Sequence, residues 1–286
     1  MGSAVARYAR RFASLVKIEH TVFALPFGYV GAFLAVGGVP DGWDLFWITV
    51  AMAGARSLAM ALNRLVDAEI DARNPRTARR ELPAGLLSRG QVLAFALGSL
   101  AVFLVAVWQL DPLVRYLWPI PVAGFVLYPY LKRWTWLSHL WLGAVDGLAP
   151  VGGWVAVTGE LPLEAWLLGA AVATWVAGFD LFYSLLDQEV DRREALHSWA
   201  TRFGAGGVFW GARALHAATV LLLAAAGIWL DVGAFYWAGV VALAALLAYE
   251  HSLIGPNDLR RLNAAFFTVN GIVSLTFFAF VLADSL

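Results

Sequence analysis

Two groups of aspartates stand at intervals that place them on single helix faces. The first is Asn63-x-x-x-Asp67-x-x-x-Asp71; at about 100° per residue, steps of four and eight drift little, so the three side chains share one face. The second is Asp180, Asp187 and Asp191, whose steps return a helix to within about 20° of its starting direction. Like-charged carboxylates crowded in a low-dielectric setting disfavour one another's ionised form, so such clusters require a cation. Magnesium suits them, being a hard ion that takes oxygen ligands and is commonly held by one or two carboxylates while sharing phosphate oxygens of a substrate. Two facing ridges of this kind could grip a diphosphate through bridging ions. Arginines just beyond each ridge, Arg73, Arg76, Arg79, Arg80, Arg192, Arg193 and Arg202, could neutralise the remaining phosphate charge. Ordinary helix ends with solvated charges are the plainer reading. Two clusters in equivalent positions, each followed by arginines, favour the chemical one.

The elements that must carry these residues follow from composition. Of 286 residues, 61% are hydrophobic and 14% charged, and the mean hydropathy of +0.71 is too high for a water-soluble globule. Net charge is zero, so no overall field argues for a nucleic-acid partner. Without cysteine there are no disulfides, thiolate metal sites or cysteine nucleophile. No H-E-x-x-H, P-loop, G-x-G-x-x-G or G-x-S-x-G motif appears, which leaves zinc-protease, nucleotide and serine-hydrolase readings unsupported.

Apolar stretches long enough to cross a bilayer core recur nine times, at about 20–38, 43–63, 91–110, 113–131, 138–157, 163–186, 208–230, 234–251 and 264–283. The first follows the basic segment Arg7 to Lys17 and has neither a cleavage site nor a soluble body after it, so it reads as a retained span. Alternate loops are basic: Arg7, Arg10, Arg11 and Lys17; Arg64 to Arg89; Lys132 and Arg133; Arg192 to Arg213; Arg260 and Arg261. The intervening loops carry Asp41, Asp44, Asp111, Glu160, Glu164 and Asp231, with Arg115 their one basic residue. Positive charge concentrates on the cytoplasmic side, which puts the N-terminus and both aspartate ridges inside. The expected architecture is therefore an all-α, multi-pass inner-membrane protein. It has about nine transmembrane helices around a central cavity open to the cytoplasm, with residues 1–286 as a single domain. The aspartate motif ending span two is echoed at the end of span six, a weak internal repeat.

Several further residues stand out. Arg56 lies inside span two, nearly on the face of Asn63 seven residues later. A buried arginine needs a partner, here either an acceptor carboxylate or Asp146 in span five. Tyr183 sits one turn from both Asp180 and Asp187; its ring could stabilise a cation, as could Tyr130, Phe179 and Phe182, although any one aromatic reads as packing first. Glu19-His20 and Glu250-His251 flank spans at the cytoplasmic boundary and read as acceptor-entrance residues or as interface anchors; His139, His197 and His216 belong to no motif.

The stretches NRLVDAEIDARNPRTARRELPAG (63–85) and DLFYSLLDQEVDRREALHSWATRFG (180–204) resemble the two signatures of the UbiA superfamily of intramembrane prenyltransferases. Tyr128-Pro-Tyr130-Leu-Lys132 resembles its Y-x-x-x-K element. One position differs from many members: where an Asp follows the motif's Asn, this chain has Arg64. The run from Glu19 to Phe27 resembles a quinone-pathway branch. The resemblance implies a transferase that binds a polyprenyl diphosphate with Mg2+, ionises it and joins the allylic carbon to a hydroxy-aromatic acceptor in ubiquinone or menaquinone biosynthesis. It implies Asp67, Asp71, Asp187 and Asp191 as metal ligands, with Asn63 and Asp180 beside them, and Lys132 and Tyr128 stabilising the leaving charge. The ring proton would go to Asp180 or Asp191. Departure of diphosphate needs electrostatic stabilisation, which metal and arginine supply.

Two other classes remain open on sequence. A secondary transporter would also show repeats and intramembrane carboxylates, but near the bilayer midplane on broken helices. A lipid-linked transferase of the CDP-alcohol phosphotransferase type would carry an Asp-Gly-Ala-Arg core, absent here. Flux without covalent product would mark the first, and release of CMP the second.

Overall fold

In a computed structural model, residues 11–16, 18–255, 259, 261–262 and 268–286 are described, with only the helical path given for 18–24. Arg7, Arg10, Lys17 and Arg260, and the side chains of Glu19 and His20, lie outside the described residues. The architecture is all-helical: α1 (Ile18–Val36), α2 (Gly42–Arg73), α3 (Arg89–Val107), α4 (Val114–Leu117), α5 (Pro119–Leu131), α6 (Ser138–Asp146), α7 (Leu148–Thr158), α8 (Leu163–Ser184), α9 (Gln188–Arg193), α10 (Trp199–Leu230), α11 (Ala234–Leu253) and α12 (Asn270–Ser285).

Among the described residues six helices, counting α6 and α7 as one, are long and apolar enough to cross a membrane: Gly42–Arg73, Arg89–Gln109, Ser138–Thr158, Leu163–Ser184, Trp199–Leu230 and Ala234–Leu253. Of the other three expected spans, the first holds α1, 19 residues long, the last holds α12, preceded by residues outside the described ones, and the 113–131 stretch divides into α4 and α5 at Trp118, where Pro119 starts a new helix. Outward faces are apolar: Leu97, Val105, Leu221, Ile228 and Val241 are all more than half exposed. Such surfaces suit lipid, whereas water would penalise them.

Between helices, small residues permit close approach. A Cβ at Gly31 of α1 would collide with the Pro150 carbonyl oxygen of α7, and one at Gly153 with that of Gly28. That pairing of α1 with α7 is the small-residue packing by which helices associate where lipid removes the usual hydrophobic drive. Elsewhere α8 runs through the core, with Leu168, Val172, Trp175 and Val176 all buried.

Two breaks shape the ridge end of the bundle. After Ser184 the chain leaves α8 through i→i−3 bonds, Leu185 N–H to Phe182 O, Leu186 to Tyr183 and Asp187 to Ser184, which tighten and end the helix. α10 begins earlier than the expected 208, at Trp199, because Ser198 and Thr201 form a reciprocal capping box; it then kinks at Gly204, whose φ of 66° favours glycine. The loops at this end are tied together, with His197 N–H donating to Lys132 O at 2.7 Å and Arg133 to Val66 O at 3.2 Å. So the loops after spans two, four and six, all basic, share one end of the bundle.

Candidate active site

α2 runs unbroken to Arg73, and its periodicity turns Asn63, Asp67 and Asp71 to a common interior face; both aspartates are buried. The second cluster is assembled differently from the single helix face expected of it. Asp180 lies on α8, Asp187 occupies the N-cap of α9, and Asp191 lies within α9. All three nevertheless meet the first cluster in one cavity of about 300 Å³. Its walls include thirteen of the residues singled out by sequence: Arg56, Asn63, Asp67, Asp71, Arg76, Arg80, Tyr128, Lys132, Asp146, Asp180, Tyr183, Asp187 and Asp191.

Cations hold these carboxylates. Lys132 Nζ lies 2.6 Å from Asp67 Oδ2 and Arg133 3.2 Å from Oδ1, while Asn63 Nδ2 donates to Oδ2 at 3.3 Å. One guanidinium nitrogen of Arg80 donates to both oxygens of Asp71 at 2.8 Å. Arg76 grips Asp187 through two nitrogens and gives a third bond, 2.9 Å, to the Tyr183 hydroxyl. Its guanidinium also lies 5.0 Å from the centroid of the Tyr183 ring, so that face is engaged by a cation in the substrate-free site. Asn74 Nδ2 donates to Asp187 at 2.8 Å, and the Asn74 side-chain oxygen accepts from Arg76 N–H at 2.9 Å.

The two outer aspartates differ in their electrostatics. Burial works against ionisation of Asp187, but the hydrogen bonds and charge of Arg76, with Asn74, hold its carboxyl below the usual range. Asp191 is pushed above that range by burial and then by the charge of Asp187, only partly offset by a Ser198 hydrogen bond and by Lys132. The cavity wall carries six aspartates against five cations, Arg56, Arg64, Arg76, Arg80 and Lys132, and Arg133 pairs with Asp67 from outside the lining. The cations are thus matched by carboxylates, and a diphosphate alone would bring uncompensated negative charge. Divalent ions would offset it, and the donors offered by Asp67, Asp71, Asp187, Asp191 and Asn63 are all oxygens of the kind a hard cation takes. Among the described residues no three His, Cys, Asp or Glu side chains converge on one point.

Five expected phosphate partners, Arg73, Arg79, Arg192, Arg193 and Arg202, stand away from the cavity lining. Arg73 turns outward and pairs with Glu194 at 2.7 Å, and Arg193 meets the same side chain at 3.7 Å. Arg79 and Arg192 are exposed, and Arg202, on the first turns of α10, is exposed and stacks on Trp136 and Phe203 at 5.4 Å. Arg56 and Asp146 both line the cavity, yet no ion pair within 4.0 Å joins them, and Arg56 Nε is buried without a hydrogen-bond partner among the described residues. Arg64, the departure from the family pattern, is 3% exposed and lines the same cavity.

Glu250 and His251 do not line the cavity. Glu250 is buried among helices, accepting from Asn270 at 2.9 Å, and His251 meets His216 at 3.0 Å. Sequence reasoning passed over Asn74, Thr77, His139, His197 and Ser198, all on the wall. For Asn74 and Thr77 the available signal was their place within the polar run after Asp71. His139 is held by Asp180, Nδ1 to Oδ2 at 2.6 Å, a pairing that sequence spacing does not reveal.

Beyond the polar part, an apolar cavity of about 230 Å³ shares Arg56, Ala59, Phe125, Val145 and Asp146 with the first. A charged chamber and an apolar one therefore lie against a common wall.

Comparison with known proteins places this arrangement. Residues 24–272 match the model of the UbiA prenyltransferase family. The 4-hydroxybenzoate octaprenyltransferase of Cupriavidus necator is 30% identical over 258 residues, covering 89% of this chain and 90% of that one. A UbiA homolog from Aeropyrum pernix, solved in its apo form, is 34% identical with a TM-score of 0.86, covering 94% of this chain and 99% of that one. A UbiA homolog from Archaeoglobus fulgidus, solved with DMAPP and Mg2+, shares the fold at a TM-score of 0.77 and 17% identity, covering 96% and 99%.

Proposed function

The chain belongs to the UbiA prenyltransferase family, and from that premise we propose that it moves a polyprenyl group from its diphosphate onto a ring carbon of a small hydroxy-aromatic acid in quinone biosynthesis. 4-Hydroxybenzoate is the first acceptor to test, because the relative from Cupriavidus necator carries its name. A dihydroxynaphthoate is the second. The observation that carries the reading is the meeting of Asp67, Asp71, Asp187 and Asp191 with Lys132, Arg76 and Arg80 in one chamber that shares a wall with an apolar one.

In this reading Asp67 and Asp71 on one side, and Asp187 and Asp191 on the other, would hold Mg2+. The ions would supply stabilisation of the charge that develops on the leaving oxygen. Lys132, Arg76 and Arg80, now paired with carboxylates, would turn to the phosphate oxygens. Tyr128 and Tyr183 border the allylic carbon, and a ring freed of its guanidinium offers a negative face to the developing cation. Arg56, with a buried unpartnered nitrogen, binds the acceptor carboxylate. The apolar chamber excludes water from a carbocation that would otherwise be hydrolysed.

The membrane arrangement proposed is nine spans in one domain, counting α1, α4 with α5, and α12 as crossings. The basic loops and the charged chamber then face the cytoplasm by the positive-inside rule. The prenyl tail stays in lipid while the acceptor arrives from water. Purified protein incubated with Mg2+, a panel of prenyl diphosphates and aromatic acids, followed by mass spectrometry, is expected to yield C-prenylated acid and diphosphate. Transport without covalent product, or no product from any acid, would overturn the proposal.

A further inference from the structure

Alkylation of an aromatic ring carbon generates a proton that some group must take. The aspartates that sequence offers for this are committed elsewhere. Asp191 stands beside Asp187, close enough for the two charges to act on each other, in the ridge assigned to the metal. Asp180 Oδ2 is engaged by His139 Nδ1 at 2.6 Å, with both side chains mostly buried, at 13% and 12% exposure.

A carboxylate only accepts hydrogen bonds, so a neutral imidazole in this contact carries its proton on Nδ1 and its lone pair on Nε2. That Nε2 is buried and has no hydrogen-bond partner among the described residues. It belongs to a side chain that lines the reaction cavity. An unsatisfied buried nitrogen in a polar chamber is costly unless a ligand completes it. His139 opens α6, and Asp146 closes the same helix seven residues later, about 10 Å further along its axis. That span accommodates one aromatic ring with a hydrogen bond of about 3 Å at either end, with Arg56 on the cavity wall near the far end.

We propose that His139 Nε2 is the base that takes the ring proton, and that Asp180 is the positioning residue that fixes its tautomer and orientation. The inference rests on the reading of the site as an aromatic prenyltransferase. The carbon–oxygen bond of the prenyl diphosphate breaks with its electron pair leaving on the diphosphate oxygen. A ring π pair forms the new carbon–carbon bond, giving a cationic ring. The pair of the ring C–H bond then restores aromaticity, and the proton moves to Nε2.

The test uses full-length protein in membranes or detergent, with His139→Gln, His139→Ala and Asp180→Asn. Glutamine keeps a donor for Asp180 and cannot take a proton. Turnover of His139→Gln is expected to fall by about 10²–10³-fold, the usual worth of a positioned base, with the acceptor KM within about threefold of wild type. Ring-deuterated acceptor is expected to show an isotope effect near unity in wild type and a full primary effect in His139→Gln, because proton loss becomes rate-limiting. Imidazole is expected to restore turnover to His139→Ala and not to Asp180→Asn, where His139 still fills the space. A His139→Gln enzyme of wild-type rate, or one whose defect lies in acceptor KM while the isotope effect stays near unity, would overturn the assignment. Wild-type enzyme assayed alongside separates the two levels: no product from wild type defeats the prenyltransferase reading, whereas an active wild type with an unimpaired variant defeats this inference alone.

Discussion

Asp67 and Asp187 are the pair on which the shared-diphosphate reading can be tested most sharply. They come from different helices, α2 and the start of α9, and each is held by its own cations: Lys132 and Arg133 for Asp67, Arg76 for Asp187. Changing either to asparagine keeps the shape and removes one negative charge. Lys132 and Arg76 are about a third exposed, so their freed charges can recover water and folding should survive. If each carboxylate anchors an ion that stabilises the departing diphosphate, each single change removes one preorganised electrostatic element, worth about 10²–10³-fold in kcat. Independent sites would give a double variant reduced by the product, about 10⁵-fold. Ligands acting together on one diphosphate give a double variant scarcely worse than the poorer single, as groups that work as a unit do. Product formation at saturating Mg2+ is measured for wild type, Asp67→Asn, Asp187→Asn and the double variant, with a thermal melt on each. Single losses under tenfold, or a double loss equal to the product, would refute the shared-ligand argument.

Other expectations follow from particular contacts. Arg56→Ala should raise the acceptor KM by about 30-fold, the loss of a hydrogen bond to a charged group of about 2 kcal/mol, with prenyl diphosphate KM unchanged; lower expression with an unaltered acceptor KM would make Arg56 structural. Asp191, its carboxyl raised by burial and by Asp187, gives stability that is full below the ordinary carboxylate value and lost as pH rises through the higher folded value. Metal-free Asp191→Asn should therefore melt a few degrees above wild type at neutral pH, with the difference shrinking toward pH 4, as read by thermal unfolding in detergent. Arg192→Gln and Arg202→Gln, both off the cavity lining, should keep kcat/KM within about twofold, as expected of surface changes away from a site. Gly153→Leu places carbon where α1 backbone passes and should cost about 3 kcal/mol or more through overpacking, read as loss of monodisperse protein on size-exclusion chromatography.

Much of this was legible in the residues because helices impose one period on everything they carry. Asn63, Asp67 and Asp71 lie on an unbroken helix, so their spacing alone put them on one face, and α2 delivers them to the cavity in that way. Asp180, Asp187 and Asp191 obey the same arithmetic yet do not share a helix: the turn after Ser184 intervenes, and the second cluster is built across the junction from α8 into α9. The alternation of basic loops likewise located the charged end of the bundle, since those loops do gather there. Sequence was silent on which arginine of each run turns inward. Arg76 and Arg80 reach carboxylates across the cavity, while Arg73, a residue of the same run, faces Glu194. That choice depends on the path of the 74–88 loop, set by Asn74, by the Thr77 hydroxyl donating to Asp71 O at 2.9 Å, and by turns that no periodic pattern encodes.

The ion pairs also bear on how such a site can exist in a membrane. Uncompensated carboxylates beside a hydrocarbon phase would be prohibitively unfavourable, and Lys132, Arg80 and Arg76 each pair with one. In the proposed function these carboxylates would hold divalent ions while the three cations would turn to phosphate oxygens, so that no isolated charge would be created. Neither half of the ligand could complete that exchange alone. Metal without diphosphate would leave the cations unpaired, and diphosphate without metal would bring negative charge to a chamber whose cations are already matched. The expected result is strong mutual dependence of the two affinities, so that titrating Mg2+ at fixed prenyl diphosphate, and the reverse, should give apparent dissociation constants that fall together by the same factor.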